Sequence, residues 1–402
     1  MARGNLARAR HPLDLRRSKV DEGTAENRSE PSGDCLAAFL ISSAVDGDPG
    51  QVHRFQTAFV MENVPGMRKM LGVDIARRIA REASALRYNI RVFLLNAAWF
   101  GGPQQRWRLF FVGLRQDLGP YAVPQPPTRT HTFGPDLPEG MTIPGDDDLI
   151  IWGSALPYVA KPAPAVTVRE ALDDLPRQSA HLLGAKPVDE PLPLRGEPSE
   201  WARELRKWPG RPAPEMVTGN WYRHTPRDFR LFREMASGDR YPQALAIAHR
   251  LFLAYLDEQR AKGKHLQPGS TAYESARRVY IPPYRNDAFD DKWGKLRPSE
   301  PAWTITAHLS RDTYSHIHYS TAQARTITVR EAARLQSFPD SFEFSGNHGD
   351  RFCQIGNAVP PLLARAIAKR LLDQLRELKS EDFRTAKSGS RRSAGIRELP
   401  AF

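Results

Sequence analysis

The feature that most constrains this chain is a short, continuous apolar run, Ala58-Phe59-Val60-Met61, which stops at Glu62-Asn63 and turns at Pro65-Gly66. An unbroken run of that length, ended by polar residues, fits a strand of a parallel sheet buried on both faces. Leu71, Ile75, Ile79, Ala83 and Leu86 then recur at helical spacing, with Arg77, Arg78, Arg81 and Arg87 on the other side. Ile90–Leu95 and Leu109–Gly113 read as two further strands. The order strand, helix, strand predicts an α/β domain with a crossover helix. Ligands of such sheets sit beyond the carboxyl ends of the strands, where Glu62 and Asn63 fall.

Composition narrows the function classes. The longest apolar stretch, Val92–Phe100, is interrupted by Asn96 and is far shorter than the roughly 20 residues that cross a bilayer, so no membrane role is expected. The basic start, MARGNLARAR, lacks the apolar stretch of a secretory signal. Two cysteines, Cys35 and Cys353, cannot build a disulfide scaffold or a four-cysteine zinc site. They suit a reducing compartment, so a cytoplasmic protein without a metal centre is expected. The net charge of +12 suits a polyanionic partner, although a merely soluble basic enzyme has the same balance.

Residues 1–54 are polar, and Lys19–Asp34 has almost no large apolar side chain, so this segment is expected to be largely disordered. Residues 119–214 hold 18 of the 34 prolines and read as loop-rich, and residues 215–300 are aromatic and basic. A second regular block runs from Trp303 to about Leu378. The tail, 379–402, carries six basic and three acidic residues and reads as a disordered, solvated end.

Three clusters can carry chemistry. Glu62 either projects into a cleft or caps the next helix. Arg106 and Arg108, two apart at the start of a strand, should point to one face. There they either grip a phosphate or base oxygen or lie solvated. Gln354-Ile355-Gly356-Asn357-Ala358-Val359-Pro360-Pro361 precedes an apolar stripe of Leu363, Ile367, Leu371 and Leu375. This places Gly356 and Asn357 near a helix N-terminus, a usable ligand site.

Taken in order, these residues resemble the DNA cytosine-5 methyltransferases. Phe59–Gly66 resembles the family's Glu-Asn-Val motif, and Asn96–Arg108, with Gln104, Arg106 and Arg108, its Gln-x-Arg-x-Arg motif. Thr328–Asp340 is similar to the ninth motif and Gln354–Pro361 to the last. The resemblance spans roughly residues 58–378. It implies an incomplete Rossmann-like, S-adenosylmethionine-dependent methyltransferase domain (55–118 and 301–378) and a smaller, irregular target-recognition domain (119–300) with short strands. It also implies methyl transfer to C5 of a cytosine flipped out of duplex DNA, as in restriction-modification systems. A cysteine would attack C6, and protonated Glu62 would hydrogen-bond N3. Asn63 would hold the turn, Arg108 would bind O2, Gln104 and Arg106 would brace the base pocket and nucleophile loop, and Asn357 with Ala358 would line the cofactor site.

The chain also departs from the family. It contains no Gly-x-Gly turn for S-adenosylmethionine and no Pro-Cys-Gln nucleophile loop. Cys35 stands between Asp34 and Leu36, and Cys353 lies in the lead-in to the last motif. The first third of the catalytic domain is thus expected to be replaced or lost and the chain inactive alone. Either it is a downstream piece, or a second chain supplies the missing motifs, or it is a non-catalytic DNA-binding module. The bare edge of the Ala58–Met61 strand should then make the chain oligomeric or poorly soluble, unless Leu36–Ile41 folds over it.

Overall fold

The computed structural model describes residues 37–41, 57–70, 72–119, 121–143, 149–212, 214–284 and 292–392. The sequence-based expectation of disorder for residues 1–36 and 42–54 lies outside these. So does Leu71, expected on the first helix.

In chain order the first elements are β1 (Ala37–Ile41), β2 (Ala58–Asn63), α1 (Ile75–Ala85), β3 (Tyr88–Asn96), β4 (Gln104–Gln105), β5 (Trp107–Arg115) and β6 (Ile150–Ile151). One sheet runs in the order β1-β2-β5-β3-β6. The expected parallel neighbours are not adjacent: β5 lies between β2 and β3 and pairs antiparallel with both, from Glu62↔Phe110 on one side to Asn96↔Trp107 on the other. Within this sheet, only β3 and β6 pair in parallel. The chain reverses between Asn96 and Trp107, and β5 returns beside β3. A central strand buried on both faces reads as the same apolar run in either direction, so the sequence pattern was blind to this.

β1 pairs antiparallel along the whole of β2, from Ala37↔Glu62 to Ile41↔Ala58. The edge that the sequence left bare is thereby covered, and the expectation of disorder through residue 54 is corrected at these five residues. On the other side of β2, Phe59 opposes Gly113, and a Cβ on that glycine would stand 2.1 Å from the Phe59 ring. The glycine makes room for the ring, which also packs edge-on against Tyr88 at 5.1 Å.

Asp74 caps α1 by accepting from the Arg77 N–H at 2.9 Å. Ala76 and Ala83 are buried, Ile79 packs on the sheet, and Leu86, expected on the apolar stripe, is 58% exposed just past the helix end. Arg87, at φ 62, stops the helix and turns the chain into β3.

The remaining helices are α2 (Val168–Leu172), α3 (Glu200–Arg206), α4 (Phe229–Glu234), α5 (Tyr241–Ala261) and α6 (Thr271–Tyr280). After a short strand, β7 (Ala302–Trp303), come α7 (Val329–Leu335), α8 (His348–Asn357) and α9 (Pro361–Arg392). The stretch expected to be irregular with short strands is corrected over 229–280, where helices dominate and α5 alone has 21 residues. Tyr241, Ala244, Ala248 and Phe252 bury one side of α5 against Phe229, Phe232 and Trp293. α2 shares a core with α7 and α8 through Val168, Leu172, Val329, Leu335 and Phe352. Packing is therefore continuous across the boundary drawn between residues 300 and 301.

α9 returns to the sheet. Leu363, Ile367, Leu371 and Leu378 lie in one core with Val60, Phe93 and Phe111. Its backbone remains helical to Arg392, which corrects the reading of 379–392 as a disordered tail. Lys, Arg, Glu and Ala are good helix formers, and high charge opposes packing more than it opposes a helix.

Candidate active site

The site grows from the β2–β5 register. Glu62 lies opposite Phe110 and Asn63 opposite Leu109. Arg108, near the start of β5, reaches back so that its Nε lies 2.6 Å from Glu62 Oε1, with only 13% and 12% of the two side chains exposed. Arg108 Nη1 also donates to the Trp107 carbonyl at 2.7 Å. Burial pushes the Arg108 guanidinium below its ordinary range, and the Glu62 carboxylate pulls it back up. The Asn63 Oδ1 accepts from the Val64 N–H at 2.8 Å, at the turn out of β2.

Arg106 does not share the face of Arg108, as its spacing suggested. It precedes β5 rather than lying in it. Its buried guanidinium donates to three backbone carbonyls, Ile305 at 2.5 Å, Gly356 at 2.8 Å and Ala358 at 3.1 Å. The pairwise spacing rule applies only inside a regular strand. Burial, followed by the neighbouring Arg108, pushes Arg106 down to about 9, with Glu62 partly offsetting them. It therefore stays charged at neutral pH.

Gln104 is fully buried beside it. Its Nε2 donates to the Leu335 carbonyl at 2.9 Å and to Gln336 Oε1, and its Oε1 accepts from the Ile305 N–H at 3.0 Å. Gln336, to which the sequence assigned no role, closes the circuit through the Ile355 and Ala358 carbonyls at 3.0 and 2.6 Å. It is a fully buried amide at the end of α7, a helix whose residues are all buried although three of the seven are charged. Gly356 is required by the same packing, because a Cβ there would stand 2.2 Å from Ala307 N. One buried polar network thus ties the segments around residues 104–108, 305, 335–336 and 355–358 together.

Asn357 lies in the last turn of α8, four residues before α9, and not at a helix N-terminus. It is exposed, and its Nδ2 donates to Cys353 Sγ at 3.4 Å. Cys353, expected in a loop, is on α8 and half-buried. Cys35 lies outside the described residues. The Ala358 carbonyl is already taken by Arg106 and Gln336. Of the two residues expected to line a cofactor site, only the Asn357 side chain therefore has room for a ligand.

Around this centre, ion pairs with no solvent contact fix α7. Arg325 grips Glu331 through 2.7 and 2.8 Å contacts. Arg334 bonds Asp340 and also Asp174 at 3.0 Å, linking α7 to the segment after α2. Burial alone would raise the Glu331 carboxyl, but Arg325 and the neighbouring donors bring it down to about 2.

Residues 53–176 and 239–373, more than half of the chain, match the family model described as C-5 cytosine-specific DNA methylase. The unmatched segment between them holds α3 and α4. M.OihORF3336P of Oceanobacillus iheyensis is 33% identical over 335 residues, covering 80% of this chain and 69% of that protein. M.AgeI of Thalassovita gelatinovora, named a type II methyltransferase, is 29% identical over 80% of this chain and 75% of its own. The rice DNA (cytosine-5)-methyltransferase CMT2 is 27% identical over 77% of this chain and 23% of its own length. Among the described residues no helix is long and apolar enough to cross a membrane. With its matched motifs assembled by one buried network, the chain belongs to the C-5 cytosine-specific DNA methylase family.

Proposed function

We propose that this chain supplies the base pocket and the DNA-recognition region of a DNA cytosine-5 methyltransferase. In this reading S-adenosylmethionine is the methyl donor, duplex DNA is the substrate, and a segment outside this sequence completes the site. The observation that carries it is the Glu62–Arg108 pair, a carboxyl and a guanidinium held together at the carboxyl end of β2 and sheltered from water. A flipped cytosine presents N3 and the exocyclic amine beside O2. A carboxyl facing N3 and the exocyclic amine, and a guanidinium facing O2, match that edge, and shelter strengthens their bonds. Asn63 shapes the turn that presents Glu62. Gln104 and Arg106 act one step back, holding β4 and the 355–358 segment in place. Residues 119–300 read the DNA.

The described residues do not by themselves fit the methyl donor. Asn357 offers one amide, Ala358 has its carbonyl engaged, and the sequence holds no Gly-x-Gly turn. The same holds for the nucleophile, since neither cysteine lies in a Pro-Cys-Gln loop. We assign both to a second chain. The experiment is transfer of labelled methyl from S-adenosylmethionine to unmethylated bacterial DNA. The chain would be assayed alone and mixed with a fragment bearing the Gly-rich turn and the Pro-Cys-Gln loop of a relative. Labelling only in the mixture is expected. Labelling by the chain alone would remove the second chain, and no labelling in either would sink the reading.

A further inference from the structure

A cavity of about 530 Å³ opens between α5, α6 and the segment before α4. Arg227, His249, Arg277 and Arg278 line it, over a floor that includes Leu245 and Ile281. Among the described residues, none of its lining side chains is a carboxylate. Arg227 is fixed in place: its Nε and Nη2 donate to the two oxygens of Asp228 at 2.6 and 2.9 Å. Asp228 is in turn held by the Tyr314 hydroxyl. Arg277 has only a loose 3.8 Å contact with Glu274, and Arg278 is exposed beside it. A planar, anchored guanidinium with two exposed, more loosely held arginines beside it suits tetrahedral oxyanions.

We infer that this cavity is a clamp for DNA backbone phosphates away from the target base. This rests on reading the chain as a DNA methyltransferase. Two observations favour a polymer over a free anion. The cavity is wide, and two of the arginines that line it, Arg277 and Arg278, are exposed. It is also anchored to the active site by one segment, which gives the Ile305 carbonyl to Arg106 at one end and the Tyr314 hydroxyl to Asp228 at the other. A duplex held at Arg277 and Arg278 would thus be held relative to Glu62. Contacts of this kind position the protein without reading sequence.

The test is fluorescence anisotropy of the full chain on a labelled duplex across a salt series. Wild type would be compared with R277Q/R278Q and R277K/R278K. Each lost phosphate contact lowers the slope of log K against log salt by about 0.9, so the glutamine pair should lower it by about 1.8. The affinity loss should be equal on unrelated duplex sequences, and the lysine pair should keep the wild-type slope. An unchanged slope in the glutamine pair, with wild type binding normally, overturns the clamp and leaves the methyltransferase reading standing. Failure of wild type to bind any duplex overturns both. Competition by inorganic phosphate at matched ionic strength, abolished in the glutamine pair without a change of slope, assigns the cavity to the free anion and also overturns the clamp.

Discussion

Two arginines two positions apart do different work here. Arg108 meets a carboxylate, and Arg106 meets only carbonyls. Replacing Arg106 by leucine would leave the Ile305, Gly356 and Ala358 carbonyls without that donor in a buried site. Each buried group left unmade costs about 1–3 kcal/mol. Because the Ala358 carbonyl keeps Gln336 as a donor, chemical denaturation of Arg106→Leu should show a loss of at least ~2 kcal/mol, against little change for the exposed Arg77→Ala. Equal stability of the two variants would show that the network does not hold the site. In the sequence, Glu62, Arg106 and Arg108 stood out by their places at strand ends, and Gln104 only through the resemblance of Asn96–Arg108 to the family's motif. The sequence did not separate their partners. The partners of Arg106 are backbone carbonyls about 200 to 250 residues away in the chain, as for Ile305 and Gly356, and a carbonyl has no residue type to betray it.

Elements whose apolar pattern matches their burial were legible. β2, β3, β5 and α1 lie close to where periodicity put them, and the stripe of α9 faces the sheet. Strand direction was not legible, because the pattern carries no sign. The helices α5 and α6 were missed because their buried sides use aromatic and small residues in a segment dense in charge. β1 was foreseen only as a condition, since something apolar had to cover β2. Its backbone now pairs with β2 over five residues. Deleting residues 36–41 should expose that edge, which invites pairing with another chain. Size-exclusion chromatography of the deletion should show higher oligomers or aggregate. A monodisperse peak unchanged from wild type would mean that β1 is dispensable.

At the scale of the whole molecule, burial of histidine sets the pH response. Burial holds His181 and His316 down to about 4 and His318 to about 3. The ordinary imidazole value is about 6.5. All three are depressed, so between these values the unfolded chain binds more protons than the folded one. Stability is then complete above about pH 6.5 and declines as pH falls. Glu331, held down to about 2, extends the same trend to lower pH. The thermal midpoint should drop from pH 7 to pH 4 by an amount on the order of 10 °C. A midpoint that is flat or rises over that interval would show that these histidines are not buried as described.

The central claim is that the Glu62–Arg108 pair grips the target base. The most direct measurement is the single-turnover rate of methyl transfer by the completed enzyme, wild type against Glu62→Gln, on DNA that both bind equally. Glutamine preserves the shape but cannot act as an acid. A positioned acid contributes about 10²–10⁴-fold to rate, so a loss of that size with unchanged DNA affinity is expected. A Glu62→Gln enzyme that transfers methyl groups at the wild-type rate would contradict the assignment.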